Sequence, residues 1–346
     1  MLKTAIIGCG RMGAEPSARL SGKVPAGWLP VSHAESILQV PSLKLSALVE
    51  PNPSRLAWAG NQYLVGNLFS DYRDLFAQEK IDVVSVATRT PQKRDILLSA
   101  ISAGVKGIYV EKPLANSLEV AAEILAAAES AGVKLSYGVN RRYHAIYRKA
   151  REIIRSGEIG KLEKISIEFG KSPLLWTHPH SMDIMLFLSG QTPQSATAEF
   201  AQESFAQKDH HRIDSDPVVL SAHFDFSDGM IGVISNEAGT NVKVNGEKGS
   251  LEISSNGELL RVEVGSKNYS IKLNTNERSA TVVAFDELSQ RISGHAVESI
   301  SINEISLGMK MLLGCVYSHR QGNSKITLND IPQELEVTGR FGEMFA

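Results

Sequence analysis

Three stretches carry residue types suited to chemistry on a small molecule. Lys112, in Glu111-Lys112-Pro113, offers an ammonium that can hold an oxygen and share in proton transfer. His180 lies in Trp176-Thr177-His178-Pro179-His180-Ser181-Met182-Asp183 and offers an imidazole that titrates near neutrality, as a general acid or base should. His180 and Asp183 are three apart and share a face if the segment is helical, with Thr177 as its N-cap. Gly8, Gly10 and Gly13, in Gly8-Cys9-Gly10-Arg11-Met12-Gly13, have the G-x-G-x-x-G spacing of a dinucleotide turn. Gly8 permits the sharp turn, Gly10 lets backbone approach a pyrophosphate, and Gly13 lets a helix close on the sheet. Each stretch also has a plainer reading: a solvated loop lysine, a polar helix start, an ordinary strand-to-helix turn. His178, His180 and Asp183 have metal-ligand types, but no further ligands can be placed beside them, so no metal is assigned. His210-His211 sits in a charged loop and reads as solvated.

The surrounding elements tell these readings apart. The run Lys3–Ile7 reads as a buried strand feeding the glycine turn. The helix that should follow is broken over Ala14–Val31 by Pro16, Gly22, Pro25, Gly27 and Pro30, and its periodicity resumes after Ser32 as N-cap. We read that stretch as an insertion, either a plain surface loop or a flap over the cofactor or substrate mouth. Leu43–Val49 is the second strand and ends at Glu50, where an acid bonds adenosine ribose hydroxyls. A carboxylate there repels a 2′-phosphate and favours NAD over NADP; Arg55, close by, works against that preference. Asp82–Ala87 is a strand covered on both faces, with Thr88-Arg89-Thr90-Pro91-Gln92 as the loop on its ligand edge. A helix over Lys93–Ala103, a strand over Gly107–Val110, a helix over Ser117–Ala131 and a strand over Lys134–Gly138 follow. The first of these strands delivers Glu111-Lys112-Pro113, and the last delivers Asn140, Arg141 and Arg142.

Residues 1–138 therefore read as a dinucleotide-binding domain, a Rossmann-type doubly wound parallel α/β sheet. Residues 139–346 read as a substrate-binding and oligomerisation domain, α+β, on an open, mostly antiparallel sheet with hairpin turns such as Ser227-Asp228-Gly229. A net charge of −2 over 346 residues, with both signs interspersed, argues against nucleic acid or an anionic membrane as partner. Cys9 and Cys315 have no framework spacing, which fits a reducing, cytoplasmic setting. The first residues lack a signal-peptide pattern, and no apolar run reaches the roughly 18 residues of a membrane span. An open sheet with one apolar face is expected to be covered by self-association, as a homodimer or homotetramer.

Gly8-Cys9-Gly10-Arg11-Met12-Gly13, Glu111-Lys112-Pro113 and His180-Ser181-Met182-Asp183, in this order and spacing, resemble the glucose-fructose oxidoreductase / inositol dehydrogenase (Gfo/Idh/MocA) family. The resemblance implies an NAD(P)-dependent dehydrogenase acting on a hydroxyl of a sugar, polyol or sugar derivative, with Lys112 and His180 as catalytic pair. It further implies a cofactor site drawn from Gly8, Gly10, Arg11, Met12, Gly13, Glu50, Arg55, Thr88, Thr90, Gln92, Glu111, Lys112 and Asn140. The substrate would meet Lys112, Arg141, Arg142, Trp176, Thr177, His180 and Asp183, and the Lys112–Pro113 bond would be cis. One departure is Trp176, where the family often has an aspartate; a tryptophan can stack on a pyranose face instead. A histidine common after the Thr-Pro loop is Arg94 here. Two other functions stay open on the same fold: a non-catalytic NAD- or sugar-sensing protein, and a reductase of a non-sugar carbonyl or imine.

Overall fold

The structure, a computed structural model, describes residues 1–201, 212–274 and 276–339; His210-His211 lies outside the described residues. The chain divides into two compact units, neither continuous in sequence. The first comprises Met1–Ala115, Ala122–Tyr143 and Arg278–Ile302; the second comprises Asn116–Ala121, His144–Glu277 and Asn303–Ala346. A single cut at 138/139 would leave Arg278–Ile302 with the second unit.

In the first unit, strands and helices alternate as β1 (Leu2–Ile7), α1 (His33–Leu38), β2 (Leu43–Val49), α2 (Pro53–Tyr63), β3 (Leu68–Phe69) and α3 (Tyr72–Gln78). Then come β4 (Val83–Val86), α4 (Thr90–Ser102), β5 (Gly107–Val110), α5 (Leu118–Ser130) and β6 (Lys134–Tyr137). The six strands are parallel, in the order β3-β2-β1-β4-β5-β6. All four residues of β4 and of β5 are buried, which explains why the sequence there is apolar without alternation. The order reverses between β1 and β4, and the crevice beyond their carboxyl ends is where such sheets bind ligands. Helix α4 starts at Thr90, three residues before the expected Lys93. Proline near a helix start costs nothing, because its missing N–H has no intrahelical partner there, so Pro91 opens the helix instead of preceding it. Thr90 and Gln92 thus belong to the first turn of α4.

The second unit contains α6 (Ala145–Arg155), β7 (Leu162–Glu168), β8 (Ser172–Pro173), α7 (Leu174–Ser189), β9 (Pro193–Phe200), β10 (Arg212–Ile213) and β11 (Val218–Phe226). It continues with β12 (Ile231–Ser235), β13 (Asn241–Gly246), β14 (Gly249–Ser254), β15 (Leu259–Val264) and β16 (Lys267–Lys272). After α8 (Ala280–Ile292), which belongs to the first unit, come α9 (Ile302–Arg320), β17 (Ile326–Thr327) and β18 (Glu336–Val337). The large sheet runs β16-β15-β14-β13-β7-β12-β11-β9-β17, with β8 also on β11. Its pairs are antiparallel except β7 with β12. Strand β16 escaped the sequence reading because it is an exposed edge with no buried alternation to give it a period of two.

Candidate active site

The glycine turn holds the shape its spacing demands. Gly8 has φ +95°, and a Cβ on it would meet the Ala87 carbonyl oxygen at 2.9 Å. A Cβ on Gly13 would stand 1.8 Å from the Gly8 carbonyl oxygen, so only glycine lets the turn close. A Cβ on Gly10 would meet nothing, so this position faces open space. Arg11 is exposed and Met12 half-buried beside it. Glu50, 6 % exposed, braces the turn from the end of β2: its carboxylate accepts the Cys9 N–H at 2.9 Å and the Asn52 N–H at 3.1 Å. Arg55 reaches the same carboxylate at 3.4 Å, so the charge expected to oppose NAD selectivity is partly neutralised by the group that favours it. The Cys9 thiol is pushed up to about 12, first by burial and then by Glu50, which makes it a packing group and not a nucleophile.

Thr88, after β4, lies against Gly8, and its hydroxyl is buried with no hydrogen-bond partner among the described residues. Such an orphan is costly unless a ligand completes it. The closed glycine turn, the open space at Gly10 and the orphaned Thr88 hydroxyl fit a dinucleotide on this edge.

The Glu-Lys-Pro turn follows β5. The Lys112–Pro113 peptide is cis, and Lys112 is half-buried. Glu111 points inward. His33 bonds its Oε1 at 3.1 Å through Nε2 and the Ser85 hydroxyl at 2.7 Å through Nδ1. A Cβ on Gly138 would crowd the same carboxylate at 2.9 Å. Burial alone would raise the Glu111 pKa; the His33 hydrogen bond and the nearby positive charges outweigh it and hold the carboxyl below its ordinary value. Asn140, expected at the cofactor, is engaged inside the unit: its Oδ1 accepts the Tyr109 hydroxyl at 2.9 Å, and its Nδ2 donates to Thr281 at 3.2 Å. Arg142 is buried, while Arg141 lies 5.7 Å over the ring of Trp28, a residue of the insertion.

Lys93 was missed in the sequence. It is buried, and its ammonium donates to the carbonyl oxygens of Glu111 and of Pro113, the latter at 2.6 Å. The signal was there: Lys93, Ile96, Leu97 and Ala100 form the buried stripe of α4 at helical spacing, with a lysine in its first position. Arg94, by contrast, is on the outer face and pairs with Glu123.

In the second unit, α7 starts at Leu174, three residues before the expected cap Thr177, and Pro179 sits inside it. Thr177 is therefore not the N-cap. Pro173 occupies that position, and Asp216 accepts the Leu175 and Trp176 N–H groups at 2.7 and 3.1 Å, doing from a distant loop what a capping side chain would do. Trp176, His180 and Asp183 fall at i, i+4 and i+7, on one face, with Thr177 adjoining. Trp176 is 49 % exposed, His180 half-buried and Asp183 buried. His178 turns the other way: Ser172 bonds its Nε2 at 3.1 Å and Ser181 its Nδ1 at 3.0 Å. Burial lowers its pKa to about 4, so it is neutral at physiological pH.

Residues 2–139 match the family model described as an oxidoreductase family with an NAD-binding Rossmann fold. YrbE, an uncharacterized oxidoreductase of Bacillus subtilis, is 28 % identical over 275 residues, which are 73 % of this chain and 78 % of that one. The scyllo-inositol 2-dehydrogenase (NAD(+)) of the same organism is 31 % identical over 39 % of this chain and 40 % of its own length. Aldose-aldose oxidoreductase from Caulobacter crescentus, crystallised with glycerol, superposes with a TM-score of 0.77 at 18 % identity, over 94 % of this chain and 99 % of that one. Scyllo-inositol dehydrogenase from Lactobacillus casei, with bound NAD(H) and scyllo-inositol, superposes at 0.72 and 20 % identity, over 95 % of this chain and all of that one. At these identities the superpositions establish the fold. Over residues 2–139 the chain is thus similar to the NAD-binding Rossmann domain of that oxidoreductase family.

Proposed function

We propose that the protein oxidises a secondary hydroxyl of a sugar or polyol, or runs the reverse reduction, with NAD as hydride partner. The observation that carries this reading is Lys112, which follows β5 on the carboxyl edge of a sheet whose glycine turn and orphaned Thr88 hydroxyl fit a dinucleotide. NAD, when bound, accepts or returns the hydride. Lys112 holds the reacting oxygen and steadies the negative charge that builds on it as the proton leaves. His180 takes or returns that proton; a half-buried imidazole on the face of α7 is suited to the step. Trp176, exposed on the same face, offers an apolar plane for a sugar ring. The relatives named for inositol and aldose chemistry support the substrate class.

A panel of inositols, aldoses, aldonates and nucleotide sugars, read by NADH fluorescence, tests the activity. Lys112→Ala should reduce turnover at least about 100-fold while NADH affinity stays within a few-fold. Unchanged turnover in that variant would remove Lys112 from the chemistry. NADH binding without turnover on the whole panel would favour a sensor.

A further inference from the structure

The insertion after the glycine turn is tied down along its length, more like a wall than a flap. Near its start, the Ser17 N–H donates to the Glu35 carboxylate at 2.9 Å, and Arg19 donates to the Arg11 carbonyl of the glycine turn at 2.6 Å. The Ala14 carbonyl accepts the Tyr63 hydroxyl, and near its end the Pro30 carbonyl accepts the Ser279 hydroxyl at 2.7 Å. Between these ties, a 3-10 turn over Ala26–Trp28 carries Trp28, which is 8 % exposed. Arg141 meets that ring from the sheet. It lies in the turn Asn140–Tyr143, which follows β6 at the carboxyl edge, next to β5 and its Lys112. Asn140 anchors the turn through Tyr109 and Thr281. Asn140, Arg142 and Tyr143 are buried there, while Arg141 is half-buried, its guanidinium carbon 5.7 Å over the Trp28 ring. An arginine stacked by its face keeps its N–H edge for a planar partner with two oxygens. With backbone and head both held beforehand, little freedom is lost when that partner binds.

We infer that Trp28 is a positioning residue for Arg141, and that Arg141 receives a carboxylate of the substrate, which makes the substrate a sugar acid such as an aldonate or a uronate. The inference rests on the reading of this edge as the place of hydride transfer. Neighbouring strands deliver Lys112 and Arg141 to the edge, both cations, while Glu111 beside Lys112 is turned inward onto His33. A neutral polyol would draw these side chains away from water and bring no charge in exchange. A carboxylate brings charge-assisted, two-pronged hydrogen bonds to the guanidinium edge.

The test is isothermal titration of the whole protein, with and without NADH, using D-gluconate, D-glucuronate, D-glucose and D-glucose 6-phosphate. It reads binding and needs no turnover. In the wild type, the acids should bind at least about tenfold more tightly than D-glucose, as a charge-assisted pair allows. Arg141→Gln should shrink that acid-over-neutral ratio about tenfold, and Trp28→Leu about threefold or more. Trp28→Phe, which keeps an aromatic face under the guanidinium, should hold the ratio within about twofold of the wild type. A Trp28 that serves only the fold would lower stability in its variants and leave the ratio alone. Equal affinity for gluconate and glucose in the wild type, or no binding of either acid, overturns the inference whether or not the variants fold. Tighter binding of D-glucose 6-phosphate than of gluconate overturns it too, by assigning the site to phosphate. A preference lost in Arg141→Gln but kept in Trp28→Leu removes the part given to Trp28, and one kept in both removes Arg141 as well. Turnover separates this from the underlying reading. Oxidation of neutral polyols with no acid preference removes the inference and keeps the dehydrogenase, whereas acid binding through Arg141 without turnover of any ligand removes the dehydrogenase and keeps the acid site.

Discussion

His178 and His180 are two residues apart, and the helix sends them in opposite directions. His180 shares a face with Trp176 and Asp183; His178 is enclosed between Ser172 and Ser181. That difference gives the second unit an acid sensitivity with a definite sign. The unfolded chain binds a proton at His178 near pH 6.5, while the folded chain resists until about 4. Stability is therefore full above the unfolded value and falls as the pH drops from about 6.5 toward 4, because only the unfolded state gains the proton. Between pH 7 and 5 the loss from this one group is about 2 kcal/mol. His178→Gln, which keeps polar partners for both serines without a titrating site, should lose less stability than the wild type over the same interval, measured by urea unfolding. Equal acid losses in the two proteins would show that His178 is not their source. The sequence placed both histidines in one polar cluster. It could not say which faced inward, because that depends on where α7 begins, and Asp216, far away in sequence, sets the beginning.

At the level of elements, the glycine turn and α1 form one helical start with a loop let out of it. Ala14 N–H bonds to the Gly10 carbonyl, and His33 and Ala34 N–H bond to the Met12 and Gly13 carbonyls at 2.7 and 2.9 Å. The backbone bonding thus resumes across the insertion, whose ends are tied by the Ser17 hydroxyl accepting from Val31 and Ser32 at 3.0 and 2.9 Å. The break in helical periodicity was legible from proline and glycine spacing. That the insertion supplies Trp28 beneath Arg141 was not, because the pairing joins residues 113 positions apart in sequence. This geometry separates folding from cofactor binding at two neighbouring glycines. Gly10→Ala meets no atom within 4 Å and should unfold like the wild type, yet bind NADH at least about tenfold more weakly, or about 1.4 kcal/mol. Gly13→Ala forces a methyl onto the Gly8 carbonyl and should destabilise the fold itself. A Gly10→Ala protein with undiminished NADH affinity, measured by fluorescence titration, would mean that this turn does not hold the cofactor.

On the scale of the whole chain, the alternation of apolar strands and helices up to Tyr137 made the parallel sheet legible, and the turn chemistry after Leu162 made the second sheet legible. The spacing of apolar residues over Thr281–Ile292 marks a helix but not its destination, since a helix names its apolar face and not the surface that face will cover. In the fold, α8 returns to the first unit. Phe285 stacks on Tyr109 at 4.4 Å and meets His33 edge-on at 5.6 Å. Ile292 and Leu288 lie so close over Gly107 that a Cβ there would come within 2.5 Å of one and 3.1 Å of the other. Arg291 donates to the Leu135 carbonyl at 2.6 Å. At about 1.5–3 kcal/mol for each large apolar side chain removed from water, Phe285, Leu288 and Ile292 together contribute on the order of 5 kcal/mol. That is comparable to the entire net stability of a typical domain, about 5–15 kcal/mol. A fragment ending at Tyr143 contains every strand of the parallel sheet and would still expose the ring of Tyr109 and the buried His33–Glu111 pair. It should therefore unfold without a cooperative transition in circular dichroism. The same fragment joined through a flexible linker to residues 278–302 should regain one. Cooperative unfolding of the 1–143 fragment alone, at close to the stability of the joined form, would show that α8 is an accessory to the nucleotide-binding sheet and not part of its core.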